Sequence, residues 1–196
     1  MRWLKHILTL VGPKEQLQTF KTRAIGPVKC LDEQQFRAYP LAFLDEDKRA
    51  IELFGHRIAD YPEVLQPAIR NGGYSLAGYK WQMQKWGCPY GLINTVTASF
   101  APHDYAWRLE YHFDTLGYPP LELLFEMSRT FAEVIFILNW QDKAGNMFAM
   151  AVVAGNLVGE HVSTNTTASV VPGEGSLSRP EAAVPTNCSA LEEARQ

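Results

Sequence analysis

Arg108, Glu110, His112 and Asp114 place a guanidinium, two carboxylates and an imidazole at every second position of one short stretch. In an extended chain successive side chains point to opposite faces, so these four share a face. A carboxylate beside an imidazole can move protons, and a cluster of such groups can hold a metal ion. The same row is also what the solvated face of an antiparallel strand looks like, because alternation alone predicts polar residues there. His103-Asp104, behind Pro102, is a second pair suited to proton or metal chemistry. Turn formation explains the aspartate equally well, and no third ligand lies at a useful spacing. Cys88, in Gly87-Cys88-Pro89, lacks the activating neighbour that a nucleophilic thiolate requires, which leaves an ordinary thiol.

Tyr79, Lys80, Trp81, Lys85, Trp86 and Tyr90 form an aromatic–basic cluster. Such mixtures stack on bases or anchor protein interfaces, and large aromatics also simply pack one layer onto another. Packing is the expected role of the two tryptophans, with the lysines left for a partner. No Gly-rich phosphate loop, Gly-x-Ser-x-Gly elbow or His-Glu-x-x-His helix occurs. The expectation is no catalytic residue, no metal and no cofactor.

The polar row needs a strand to carry it, and its counterparts Leu109, Tyr111 and Phe113 supply the apolar face. Pro119-Pro120 then opens a helix with Leu121, Leu124, Phe125 and Ser128 at helical spacing, and Val134 to Leu138 reads as a central strand. Lys5 to Val11, ending at Gly12-Pro13, reads as a buried first strand. Pro13 begins a helix whose stripe is Leu17, Phe20 and Ala24, closed by Gly26-Pro27. Residues 28–90 form a helical insertion of about sixty residues, long for a connection inside a compact domain. Its first helix is expected to start at Asp45-Glu46-Asp47, with Ile51, Phe54 and Ile58 as its stripe. A second runs from Tyr61 to Asn71 and a third from Tyr79 to Trp86. Leu92 to Phe100 reads as a strand joined by a turn to the polar row. Met147 to Val153 returns after a hairpin at 141–146, and Gly155 to His161 adds an edge strand. From Ser163 the chain turns to Ser, Thr, Ala, Pro and Gly, a composition expected to be disordered.

Without the insertion the order is βαββαβ plus an added hairpin strand. That predicts an α+β, ferredoxin-like domain over residues 1–162: an antiparallel sheet with both helices on one face.

Composition agrees with a globular protein: 196 residues, 46% hydrophobic, 20% charged. A net charge of −3 gives no whole-protein basic footprint for nucleic acid. Charge is uneven, with nine Lys/Arg against six Asp/Glu in residues 1–50 and two against seven in residues 109–160. The three cysteines are far apart and form no CxxC, which fits a reducing compartment. There is no apolar run of the ~18 residues that cross a bilayer, and no separate leader-like core at the start. The localisation expected is cytoplasmic.

Four segments, in order, resemble the YubB-type proteins of phages and conjugative plasmids, which contain a ferredoxin-like domain. His6-Ile7-Leu8-Thr9-Leu10-Val11-Gly12 resembles the opening strand of that family, and Trp86-Gly87-Cys88-Pro89-Tyr90 sits where it has Trp-Gly-Thr-Lys-Trp. Phe113-Asp114-Thr115-Leu116-Gly117-Tyr118-Pro119-Pro120 is similar to its F-x-T-A-W-x-P-P segment, and Gly145-Asn146-Met147-Phe148-Ala149 to its closing hairpin. The likeness spans most of residues 4–160. Cys88-Pro89-Tyr90 and Leu116-Gly117-Tyr118 depart from it, so any site the family builds there is altered. The resemblance implies an accessory protein of a mobile element, a class that often acts against host defences.

The leading expectation is therefore a non-catalytic protein that binds a host protein or complex. The binding residues expected are Lys80, Trp81, Lys85, Trp86 and Tyr90, with Arg108, Glu110, His112 and Asp114. Nucleic-acid binding on the open sheet face is the alternative, disfavoured by the acidic residues there. A third reading is an enzyme built on His112 and Asp114. The oligomeric state is not legible.

Overall fold

A computed structural model describes residues 2–53, 72–142, 147–155 and 157–164. The expected helix at Tyr61–Asn71, the stripe residues Phe54 and Ile58, the hairpin turn at 143–146 and the tail beyond Thr164 lie outside the described residues. Elements follow in the order β1 (Trp3–Gly12), α1 (Lys14–Ala24), a 3-10 turn (Glu33–Gln35), α2 (Leu41–Leu53), α3 (Leu76–Lys85), β2 (Ile93–His103), β3 (Ala106–Leu116), α4 (Leu121–Thr130), β4 (Ile135–Asp142), β5 (Met147–Ala154) and β6 (Leu157–Thr164). The last strand runs two residues past the expected domain end, and the described residues fall in one compact unit.

Six strands make one sheet in the order β2-β3-β1-β4-β5-β6, each neighbouring pair antiparallel. The four strands β2, β3, β1 and β4 have the ferredoxin-like arrangement, and β5 and β6 extend it beyond β4. β1 lies between β3 and β4 because the α1 connection and the insertion carry the chain over β3 before β2 begins. This is the split βαβ pattern that the element order predicts.

Alternation sets the two faces. On β1, Leu4, His6, Leu8 and Leu10 are buried, and on β3 Leu109, Tyr111 and Phe113 are buried. Register pairs Leu8 with Tyr111 and with Leu138, and Leu10 with Leu109 and Phe136, so the core face is continuous across strands. α1 covers it with Leu17, Phe20 and Ala24. The Phe20 ring meets Phe36, Tyr111, Phe131 and Phe136 with centroids 5.1–6.2 Å apart, the spacing of favourable aromatic pairs. α4 adds Leu123, Leu124 and Met127.

One expectation is sharpened and one corrected. From Ile135 the run Val134–Leu138 lies in a central strand, paired with β1 and β5, but it is buried on one face only. Phe136 and Leu138 enter the core, while Ile135 is 43% exposed on the other face. Among the described residues no helix covers that face, and an apolar run cannot by itself reveal this. α2 begins at Leu41, behind Pro40, rather than at Asp45. Proline tolerates the first turn and sets the start, so Asp47 falls mid-helix.

There Asp47 faces inward. Its carboxylate accepts the Tyr39 hydroxyl at 2.6 Å and the Gly73 and Ser75 amides at 2.8 and 2.6 Å. Gly73 stands at φ +91, a left-handed conformation open to glycine, and this aims its amide at the carboxylate. Ser75 then caps α3 by accepting the Gly78 amide at 3.1 Å. The described part of the insertion is thereby tied to the domain. Leu31, Phe36, Tyr39, Trp86, Cys88 and Leu92 all join the domain's own core.

Candidate functional site

The face of the sheet opposite the helices carries Lys5, Ile7, Thr9 and Val11 from β1 and Arg108, Glu110, His112 and Asp114 from β3. β4 contributes Ile135, Ile137, Asn139 and Gln141. Register sets them in rows: Lys5 beside Asp114 and Gln141, Ile7 beside His112 and Asn139, Thr9 beside Glu110 and Ile137, Val11 beside Arg108 and Ile135. Val96 of β2 lies next to His112. Ile7, Val96 and Ile135 are 42%, 56% and 43% exposed.

The polar row is internally paired. Arg108 bonds Glu110, and the other Glu110 oxygen accepts His112 Nε2 at 2.9 Å. Partial burial pushes the Glu110 carboxyl up, but the hydrogen bonds and charges of His112 and Arg108 outweigh it, and the carboxyl sits below its usual range. Asp114 is held instead by Asn94, whose Nδ2 donates to it at 2.9 Å. Asn94 adopts φ +53 within a register shift between Ile93 and Val96, and that bulge turns its amide onto the face. The acid–base pair expected from His112 and Asp114 is not formed, since His112 is bound to Glu110.

Two grooves flank Lys5 and Ile7. The larger, about 340 Å³, is lined by Lys5, Ile7, Asn94, His112, Asp114 and Gln141. The smaller, about 100 Å³, lies against Asn139, Trp140 and Gln141. Together they give the face relief.

The aromatic–basic cluster divides. Trp86 is buried and donates its indole N–H to the Arg37 carbonyl at 2.9 Å. Trp81 stands edge-on to Trp86 and Tyr39, with centroids 5.3 and 5.4 Å away. Trp86 belongs to the core, and Trp81, partly buried, packs against it. Tyr90 packs on Tyr74 at 5.6 Å and gives its amide to Gln82 at 2.8 Å in a left-handed conformation, φ +64. Lys80 and Lys85 are exposed on α3, away from the polar row's strand.

The remaining candidates are local. His103 and Asp104 pair at 3.8 Å on the exposed β2–β3 turn. Among the described residues no three metal-ligating side chains converge. Cys88 is buried beside the Lys29–Glu33 ion pair of 2.8 Å, and burial first, then the Glu33 charge, pushes its thiol up, away from nucleophilic thiolate.

His6 was hidden by its polar type, although its place between Leu4 and Leu8 in an alternating strand puts it in the core. Its ring stacks on Phe113 with centroids 4.8 Å apart. The Thr115 hydroxyl donates to the Tyr118 carbonyl at 2.7 Å, so it accepts His6 Nε2–H at 2.7 Å and fixes the tautomer. Nδ1 is left without a partner, and burial pushes the imidazole pKa down to about 3.

Among the described residues no helix is long and apolar enough to cross a membrane. No family model and no curated protein matches the chain. Among solved structures, a crystal structure of a protein api92 from Yersinia pseudotuberculosis, of the DUF1281 family model, is similar. It is 13% identical, with 82% of this chain and 98% of that chain covered and a TM-score of 0.46, a likeness that carries no argument about function.

Proposed function

We propose that this chain is a non-catalytic binding protein of a phage or plasmid that docks on a host protein through the open sheet face. The observation that supports this reading is the set of exposed isoleucines and valine framed by side chains already locked in hydrogen bonds. Apolar anchors within a preset polar frame are the composition of a protein interface: the anchors supply desolvation, and the frame needs little ordering on binding. The resemblance to YubB-type proteins suggests a mobile element, a cytoplasmic site of action and a target in a host defence complex such as a CRISPR effector.

Nucleic acid suits the face less well. Arg108 is engaged by Glu110, and Glu110 and Asp114 would repel phosphates. A filter-binding titration at low salt separates the two readings, because phosphate-driven retention is strongest there. The test of the leading reading is capture from a bacterial host lysate, with the defence components retained by wild type compared against those retained by Ile7→Glu.

A further inference from the structure

The order of charge along β3 has a symmetry of its own. Read from Arg108 to Asp114 the open face presents a cation, an anion, an imidazole donor and an anion, with successive members ~6.8 Å apart. Read backwards it is anion, donor, anion, cation. A second row running antiparallel above the first therefore sets Arg108 over Asp114 and His112 over Glu110, in both directions at once. We infer that the open face docks on the same face of a second copy of this chain, about a two-fold axis lying between the sheets and crossing the strands at the level of Tyr111.

Two in-plane axes can stack a sheet on its own copy with the strands aligned, and the charges choose between them. An axis along the strands and over β3 would put Arg108 on Arg108 and Glu110 on Glu110. The crossing axis gives opposite or hydrogen-bonding partners at all four positions. It also sets Ile7 over Thr9, Ile137 over Asn139 and Val11 over the aliphatic stem of Lys5, by the registers of β1 and β4 with β3. On β1, β3 and β4 no facing pair then brings like charges together. Each ion pair within one chain acquires a partner across the interface, so its charges remain compensated as water leaves.

This inference rests on the reading that the open face is a protein-docking surface, and not on the identity of any host target. The experiment is sedimentation equilibrium of the full chain across micromolar concentrations, in low and high salt. Wild type is expected at about 44 kDa, twice the chain mass of 22.1 kDa, shifting toward the single-chain mass as salt screens the row. Arg108→Asp is expected at the single-chain mass. Arg108→Asp combined with Asp114→Arg, which rebuilds the same antisymmetric order, is expected to restore the dimer. Asp114→Asn keeps an acceptor for Asn94 and so preserves the bulge. Two symmetric pairs are lost together, and the dimer dissociation constant is expected to rise roughly tenfold. A single-chain mass for wild type, an unaffected dimer in Arg108→Asp and Asp114→Asn, or a folded double variant that stays monomeric overturns the proposal. The two ideas fail separately, because a wild type that stays at the single-chain mass can still retain a host protein in the capture experiment.

Discussion

Asp47 and His6 are single residues whose chemistry extends well beyond their own positions. Asp47 receives three donors from two separate segments, the Tyr39 hydroxyl and the amides of Gly73 and Ser75. Asp47→Ala leaves the Tyr39 hydroxyl and the Ser75 amide without their acceptor and the Gly73 amide with only the Tyr39 oxygen at 3.2 Å, and at 1–3 kcal/mol for each orphaned group the expected loss is roughly 3 kcal/mol. The urea midpoint measures it, and Asp47→Asn should lose less because one acceptor oxygen remains. His6 makes stability depend on pH. Its pKa is about 3 when folded and near 6.5 when unfolded, so the unfolded chain takes up the proton first as pH falls. Stability from this residue is complete above the unfolded value and declines between 6.5 and 3, by about 2 kcal/mol at pH 5. Glu33 acts in the opposite direction, since burial raises its pKa despite Lys29. Comparing wild type with His6→Leu isolates the histidine: the variant's unfolding free energy should fall less between pH 7.5 and pH 5. Thr115 keeps its bond to Tyr118 in that variant, so the fold survives the change.

Adjacent residues on β1 give the sharpest test at the level of the element. Ile7 faces out and Leu8 faces in, so the same substitution has opposite consequences. Ile7→Glu is expected to alter unfolding free energy by no more than about 1 kcal/mol, whereas Leu8→Glu buries a lone carboxylate and should unfold the chain or cost roughly 4 kcal/mol or more. Thermal melts of both variants check this. Trp86→Phe should cost about 2–3 kcal/mol, through the lost bond to Arg37 and the space left in the core. The alternation of β3 was legible in sequence because it mixes clear apolar and clear charged residues, and it correctly put Leu109, Tyr111 and Phe113 inside. β1 and β4 were harder. Ile7, Ile135 and Ile137 look like core residues, and only the layer above each face decides whether they are buried. The start of α2 is hidden from the sequence for a similar reason. Asp45-Glu46-Asp47 has the composition of a first turn, but the partners of Asp47 lie 26 and 28 residues away, and no local pattern announces them. The groove on the open face was half legible: the polar row was visible, whereas Lys5, Gln141 and the Asn94 bulge joined it only through strand order.

For the molecule as a whole, the helices and the described part of the insertion cover one side of the sheet and leave the other side bare. The large aromatics of the insertion fill the core, which shifts the expected partner surface from Trp81 and Trp86 to the face bearing Ile7. Arg108, Glu110 and His112 are bonded to one another within the chain and Asp114 to Asn94, which assigns binding energy to the apolar anchors and orientation to the charges. The most direct test is affinity capture from a bacterial host lysate by wild type and by Ile7→Glu, each shown to be folded and used at micromolar concentration, with the retained proteins identified by mass spectrometry. Wild type is expected to retain a defence component that Ile7→Glu releases. Retention of no such component, or equal retention by both forms, would contradict it.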